Sequence, residues 1–599
     1  MRFAGRAQNI QLGREGAYAL VLAVMFLLLV GQVFSLQVVQ HRTFLAKSLG
    51  NKIQAIPLLP PRGQIFDRSG RPLAVNRPSY TLKYFPPVGD AKDDETLAFI
   101  AGWLQTDTAK LAESVNKQKN LLYSYQPVTV AEDLPLERVA YIEENRRQFP
   151  GCYVDAANAV RYYPLGSAAA HLIGYTAQMT EKEFSSRKTA GYLANEPLGK
   201  EGIERQYESD LRGALGERDI EVDRNRYFKR VVVEKPPKKG RDIYLTIDSR
   251  IQSAAYEALG GRRGAVVVMD PNTGEILALA SSPSYNPNLF RSKEGVNYFA
   301  RVISDKRYPM LNRSVGNAYA PGSTVKPAIV LGALESNEIG RNATFYCPGH
   351  LDIGNREFYC WQRNGHGTLG LLDVIGKSCD VALYHIGLKM GVNGLRHIYE
   401  EFGYGTPTGI DLPNEASGMV PSREWKRKHY SGKNYGDIDR MWFDGDTANM
   451  AIGQGFMLAT PLQVLQQAST LACSGKTAKP VLVKGLESAG EVDTPMREEA
   501  KFHNFGEENM QLVRSGMRRA ALMGGTASTL ASLRVSVACK TGTAEVWNGE
   551  PHSWFIGYFP AKEPQVSVVV FLENGGASSS GAVPAAKQLI SQIASIMDL

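Results

Sequence analysis

The longest apolar run in the chain, Ala17 to Leu36, reads AYALVLAVMFLLLVGQVFSL and carries no formal charge. A helix of about twenty such residues spans a bilayer. Arg2, Arg6 and Arg14 precede it, a bias that places the N-terminus in the cytoplasm. A cleaved signal peptide fits less well, because the run is long for one and no clear Ala-x-Ala site follows. The pattern therefore predicts a cytoplasmic tail at 1–16 and a single-pass signal anchor at 17–38. A second run of that length does not occur in the sequence, so the remainder is expected outside the cytoplasm.

Beyond the span the periodicity changes repeatedly. Ile56 to Gly63 is proline-rich and extended, and Arg62 to Gly70 reads as a strand closed by a Ser69-Gly70 turn. Residues 92–148 carry helical spacing, clearest in Leu134 to Asn145. Lys235-Pro-Pro-Lys-Lys-Gly-Arg241 is a basic linker and marks a boundary between a pedestal at 39–240 and a second domain at 241–599. In that second domain, Gly264–Asp270 and Glu275–Ala280 are strands joined by a Pro271-Asn-Thr-Gly274 hairpin. Ser553–Phe559 and Gln565–Leu572 are its last strands, and Pro584–Met597 is a closing helix. Strands at both ends with helices between them predict an α+β fold, an antiparallel sheet bearing helices.

Length and composition add bounds. The 599 residues suffice for more than one domain, and 43% hydrophobic with 21% charged residues is ordinary globular composition. The net charge of +8 suits an anionic surface but equally a solvated lysine coat. No motif for nucleic-acid binding accompanies it, and no nucleic-acid partner is expected.

The candidate chemistry centres on Tyr319-Ala-Pro-Gly-Ser-Thr-Val-Lys326-Pro. Ser323 and Lys326 lie one helical turn apart and share a face. A serine hydroxyl becomes a nucleophile when a base takes its proton, and a partly desolvated lysine can be that base. Ser185 and Lys188 form the same Ser-x-x-Lys pattern in a polar stretch with no other sign of a site. Ser323 has company: Ser378-Cys379-Asp380 downstream and Lys540-Thr541-Gly542-Thr543 ahead of a strand-rich C-terminus. This ordered triple is the signature of penicillin-binding proteins and serine β-lactamases. His171 has no partner at ligand or triad spacing and reads as a packed histidine. Glu201 and Glu204 read as the solvated face of a helix.

From the anchor to the C-terminus the chain resembles the class B penicillin-binding proteins, closest to their elongation-specific branch, penicillin-binding protein 2. Arg62–Gly70, Arg161–Gly174, Gly199–Gly213, Gly403–Gly405, Thr408–Leu412 and Ile452–Gly455 carry the likeness beside the three motifs. Asp380 stands where division-specific relatives usually have Asn. The resemblance implies a D,D-transpeptidase that cross-links peptidoglycan stem peptides during elongation and is a target of β-lactams. It implies Ser323 as nucleophile, Lys326 as base, and Ser378 with Lys540 as the route of a proton to the leaving amine. Asp380 would orient Lys326 or the peptide. Thr541, Gly542 and Thr543 would bind substrate, with the Ser323 and Thr543 amides as oxyanion donors. It further implies a bacterial inner-membrane anchor with the catalytic domain in the periplasm. The expected partners are a SEDS-type glycosyltransferase (RodA) and other elongation-complex proteins.

Cys347, Cys360, His366 and Cys379 form Cys-x12-Cys-x5-His-x12-Cys, residue types suited to tetrahedral zinc but unlike a zinc-finger knuckle. A Cys347–Cys360 disulfide and three buried thiols are the alternatives. Some elongation-branch relatives have a metal site here with carboxylates at the positions of Cys347 and Cys360, so the resemblance favours a structural zinc. Three other functions use the same catalytic motifs: a D,D-carboxypeptidase, a β-lactamase and a β-lactam sensor. No deacylating base is evident for a β-lactamase, and the sixteen-residue tail is short for a signalling receptor.

Overall fold

The structure, a computed structural model, describes residues 13–44, 53–84, 94–121, 127–155, 159–193, 196–222, 228–291, 295–488, 490–547 and 549–599. It divides into two compact units that interleave along the chain. One comprises Met1–Pro60, Pro78–Ala159 and Ala214–Lys238, and the other Pro61–Arg77, Val160–Gly213 and Lys239–Leu599.

In the first unit the apolar run is helical from Arg14 to Phe34 and ends in a π-helical turn, Ser35–Val39. Its length and composition make it a candidate membrane span. Ile53–Leu58, Gly216–Val222 and Phe228–Lys235 form an antiparallel sheet in that order. A second small sheet, with Tyr80–Tyr84 between Val128–Leu134 and Cys152–Asp155, packs with helices around Leu82, Ile100, Val115 and Ile142. The helical spacing read over 92–148 is thus interrupted. Val128–Leu134 is a strand, because its β-branched Val-Thr-Val start pairs with Tyr80–Tyr84.

In the second unit, Ile65–Phe66 joins Asp242–Leu245 in parallel within a six-stranded sheet. Below it lies the network that corrects the reading of Glu204. This carboxylate is fully buried, with Oε2 accepting from Arg62 Nε and Oε1 from Arg161 Nε, each at 2.7 Å. Two arginines distant in sequence converge on it, a pairing that helical spacing alone does not reveal. His171 is a packed histidine, its Nε2 lying 2.7 Å from the Pro309 carbonyl oxygen.

A five-stranded sheet of the second unit comprises β1 (Gly264–Met269), β2 (Ile276–Ser282), β3 (Ala538–Ala544), β4 (His552–Phe559) and β5 (Val566–Leu572). They are antiparallel in the order β2-β1-β5-β4-β3. Helices α1 (Ser249–Leu259) and α6 (Ala582–Met597) cover one face. Helices α2 (Lys326–Glu335), α3 (Asp380–Glu401), α4 (Pro461–Ala472) and α5 (Glu507–Ala520) build the other core layer. Burial on both faces explains why β1 and β5 read as continuous apolar runs instead of alternating ones. β3, which carries Lys540 to Thr543, is an edge strand, and its open side faces the turn that carries Ser323.

Candidate active site

Pro321 precedes a single 3-10 turn, Gly322–Val325, which leads directly into α2. Gly322 has φ of 56°, and a Cβ there would stand 3.1 Å from the Thr543 carbonyl oxygen. A Cβ on Gly542 would stand 2.8 Å from Thr324 Cγ2 and 3.1 Å from the Pro321 carbonyl oxygen. The turn and β3 therefore touch through two glycines, and a methyl at either would push them apart. Ser323 is half-buried on this turn, and its hydroxyl makes no hydrogen bond among the described residues. The other Ser-x-x-Lys pair has no such setting: Ser185 lies on an exposed helix and donates to the Glu181 carbonyl.

Lys326 is fully buried at the start of α2. Its Nζ donates to the Ser378 carbonyl oxygen at 2.9 Å, to Ser378 Oγ at 3.3 Å and to Asp380 Oδ1 at 2.7 Å. Lys540 Nζ, also fully buried, donates to the same Ser378 Oγ at 2.7 Å. One hydroxyl thus bridges two lysines. Ser378 reaches this position with φ of 59°, a left-handed conformation that costs a non-glycine residue about 1–2 kcal/mol. Burial drives Lys540 well below the ordinary lysine pKa of 10.5, the Lys326 charge lowers it further, and Asp380 partly offsets both. The arrangement can shuttle a proton between two amines through one hydroxyl, next to an unbonded serine.

Asp380 begins α3, and its second oxygen accepts the Trp361 amide at 2.9 Å. The indole Nε1 of Trp361 donates to the Lys377 carbonyl at 3.0 Å. Trp361, Thr526 and Ser578 are neighbours of the motifs that spacing did not single out. Thr541 Oγ1 donates to Thr526 Oγ1 at 2.8 Å, and the Ser578 amide donates to Thr543 Oγ1 at 3.3 Å. Only adjacency to Cys360 could have flagged Trp361.

Cys347, Cys360, His366 and Cys379 converge, with one potential ligand atom from each within 4.8 Å of the others. His366 Nδ1 lies 3.6 Å from Cys347 Sγ and 3.5 Å from Cys360 Sγ. Zinc–sulfur and zinc–nitrogen bonds of tetrahedral length give a ligand–ligand edge of about 3.6 Å, so the donor set fits that ion. His366 Nε2 is buried without a hydrogen-bond partner among the described residues. The contact with Cys379, then that with His366, holds the Cys360 thiol below its ordinary pKa, while the same contact and burial push Cys379 up. All six cysteines are free thiols, so Cys347 and Cys360 meet His366 rather than pair as a disulfide.

A family model described as the penicillin-binding protein transpeptidase domain matches residues 264–593, and one for the penicillin-binding protein dimerisation domain matches 57–245. The chain belongs to the penicillin-binding proteins. It is 34% identical to the peptidoglycan D,D-transpeptidase MrdA of Escherichia coli K12, over 94% of this chain and 90% of that protein. Among solved structures, the complex of penicillin-binding protein PBP2 with MreC from Helicobacter pylori is similar at 28% identity and a TM-score of 0.78. That match covers 91% of this chain and 100% of the other. A structure titled as the coordination of polymerization and crosslinking by a peptidoglycan synthase complex matches at 28% identity and TM-score 0.72, covering 97% of this chain and 98% of that one.

Proposed function

We propose that this protein is a peptidoglycan D,D-transpeptidase of cell elongation, working through an acyl-serine intermediate. The observation that carries the reading is the Lys326–Ser378–Lys540 chain beside Ser323, with Asp380 paired to Lys326. Ser323 Oγ attacks the carbonyl of the penultimate D-alanine in a stem peptide, and Lys326 in its neutral form accepts the hydroxyl proton. Lys326 becomes neutral by passing its proton through Ser378 to Lys540, which burial leaves uncharged at a lower pH than an ordinary lysine, so that its nitrogen has a free lone pair to take the proton. The reverse transfer protonates the leaving D-alanine amine, and an amine of a second stem peptide then displaces the serine. Thr541 and Thr543 hold the terminal carboxylate, Gly542 lets β3 approach the turn, and the Ser323 and Thr543 amides bind the oxyanion.

Zinc at Cys347, Cys360, His366 and Cys379 is part of this reading, as a structural ion that ties the Cys360–Trp361 segment to the Cys379–Asp380 turn. Equimolar zinc in purified protein, together with a melting temperature lowered by a chelator, supports it; metal-free protein with unchanged melting removes it. The helix Arg14–Phe34 anchors the chain in the bacterial inner membrane, with the arginines before it on the cytoplasmic side and the catalytic domain in the periplasm. Residues 39–240 serve as the pedestal and 241–599 as the catalytic domain, and the expected partner polymerase is a SEDS-type glycosyltransferase, RodA.

The test is cross-linking of uncross-linked glycan strands bearing pentapeptide stems. Dimeric muropeptides formed by wild type and absent with Ser323→Ala are the expected result. Tetrapeptide monomers alone, formed with water as acceptor, would instead identify a carboxypeptidase.

A further inference from the structure

Outside the catalytic chain, one segment combines uncompensated positive charge with an aromatic scaffold. Arg423–His429 is a helix whose outer residues Arg423, Arg427 and Lys428 are exposed, and Lys433 is exposed shortly after it. None of these four cations forms an ion pair among the described residues. The neighbouring charges are mostly spoken for: Lys426 pairs with Asp446 at 2.6 Å, and Arg440 with Asp437 at 3.1 Å. Glu424, Asp439 and Asp444 form no ion pair among the described residues, but within Arg423–Lys433 Glu424 is the one acid against four exposed cations, so positive charge dominates that face.

The scaffold beneath these cations is rigid. The Trp425 and His429 rings stack at 4.7 Å, and Trp425 meets Phe456 at 5.1 Å. Tyr430 packs edge-on against Tyr435 at 4.8 Å. Lys426 Nζ lies 5.4 Å from the Phe443 ring and 5.6 Å from the Phe456 ring, buried beneath the outward cations.

Both ends of this rim are fixed to the catalytic residues. Phe456 lies three residues from Gly453, whose carbonyl accepts the amide of Gly322 at 2.9 Å, and Gly322 immediately precedes Ser323. At the other end a Cβ on Gly445 would stand 3.0 Å from Phe358 Cζ. Phe358 begins the run Phe358–Trp361 that delivers the Trp361 amide to Asp380. The rim thus runs from the nucleophile turn to the residues holding Asp380. A cationic face tied through neighbouring residues to both Ser323 and Asp380 suits an extended ligand that reaches beyond those residues.

We infer that the outward face of Arg423–Lys433 is a docking surface for the acidic stem peptide, its cations pairing with peptide carboxylates beyond the two terminal D-alanines. This inference rests on the transpeptidase reading above. Charge complementarity sets the occupant, because a stem peptide carries several carboxylates whereas a neutral glycan would leave these four cations unanswered. A small β-lactam has one carboxylate, placed by the reading above at Thr541 and Thr543, and so offers these cations no partner.

The experiment compares full-length detergent-solubilised protein with the double variant Arg427→Glu/Lys428→Glu and the charge-keeping variant Arg427→Lys/Lys428→Arg. Two rates and one binding are measured: cross-linking of glycan strands bearing pentapeptide stems, acylation by benzylpenicillin, and binding to phosphatidylglycerol vesicles. The ratio of the first to the second is expected to fall about tenfold in the charge-reversed variant, through KM rather than kcat. The charge-keeping variant is expected to restore it, and raising salt is expected to weaken wild type more than the reversed variant. An unchanged ratio overturns the inference. So does a parallel fall in both rates with normal melting, which would mean that the charges act on the site itself. Loss confined to binding of phosphatidylglycerol vesicles would assign the patch to a membrane and also overturn it. Failure of wild type to be acylated at all would strike the transpeptidase reading, a result distinct from each of these.

Discussion

Ser378 receives hydrogen bonds from Lys326 and Lys540 through one hydroxyl, and it holds a left-handed backbone conformation to do so. Ser378→Ala keeps that backbone but severs the bridge, and β-lactam acylation is expected to fall by about 10²–10³-fold. Measured second-order acylation rates check this; a fall below threefold contradicts the relay. Lys540 sets a pH signature as well. Its folded pKa lies well below 10.5, so its charge is lost at a lower pH than an ordinary lysine's. The acylation profile should show an inflection on that side of 10.5 that is absent from Lys540→Met. His171 makes a stability claim of the same kind. Burial pulls its pKa down to about 4 from 6.5, so the unfolded chain binds the extra proton between those values. Stability from this group is complete above about pH 6.5 and is lost as pH falls through about 4, roughly 3 kcal/mol in all. Denaturant titrations of wild type and His171→Gln at pH 7 and pH 4.5 read the difference, which equal slopes with pH would contradict.

Among the elements, β3 and the nucleophile turn depend on each other through Gly322 and Gly542. A methyl at Gly542 meets Thr324 and the Pro321 carbonyl, so Gly542→Ala is expected to abolish acylation while leaving the β1–β5 pairing in place. Retained acylation in the variant would mean the two elements can separate without consequence. The Glu204 network is the other element-level hinge point. Removing that carboxylate leaves the buried Arg161 guanidinium without its ion pair, while Arg62 keeps Glu208, and Glu204→Ala is expected to cost about 3–5 kcal/mol by urea unfolding. The sequence made β4, β5 and the closing helix legible, because their apolar runs are long and bounded by turn residues. Local motifs also led to Ser323, Lys326, Ser378, Asp380 and Lys540, of which the structure joins the last four by hydrogen bonds. Trp361 and Thr526 were not legible, because their roles come from contacts across loops: Trp361 with Asp380, Thr526 with Thr541. Glu204 was misread for the same reason, its arginine partners standing 142 and 43 residues away.

At the scale of the whole molecule, the chain passes between its two compact units several times; the last passage, from Lys238 to Lys239, falls inside the basic linker, whereas the earlier ones were not read from the sequence. A linker is visible as composition, whereas an interleaved packing depends on long-range pairs such as Ile65 with Ile243. One catalytic assembly draws on the turn after Pro321, the start of α3 and the edge strand β3. The most direct test of that assembly is labelling with a fluorescent penicillin, followed by mass mapping of the labelled peptide. The account predicts one stable adduct, on Ser323, absent from a well-folded Ser323→Ala variant. An adduct on another residue, or labelling that survives the substitution, would contradict it.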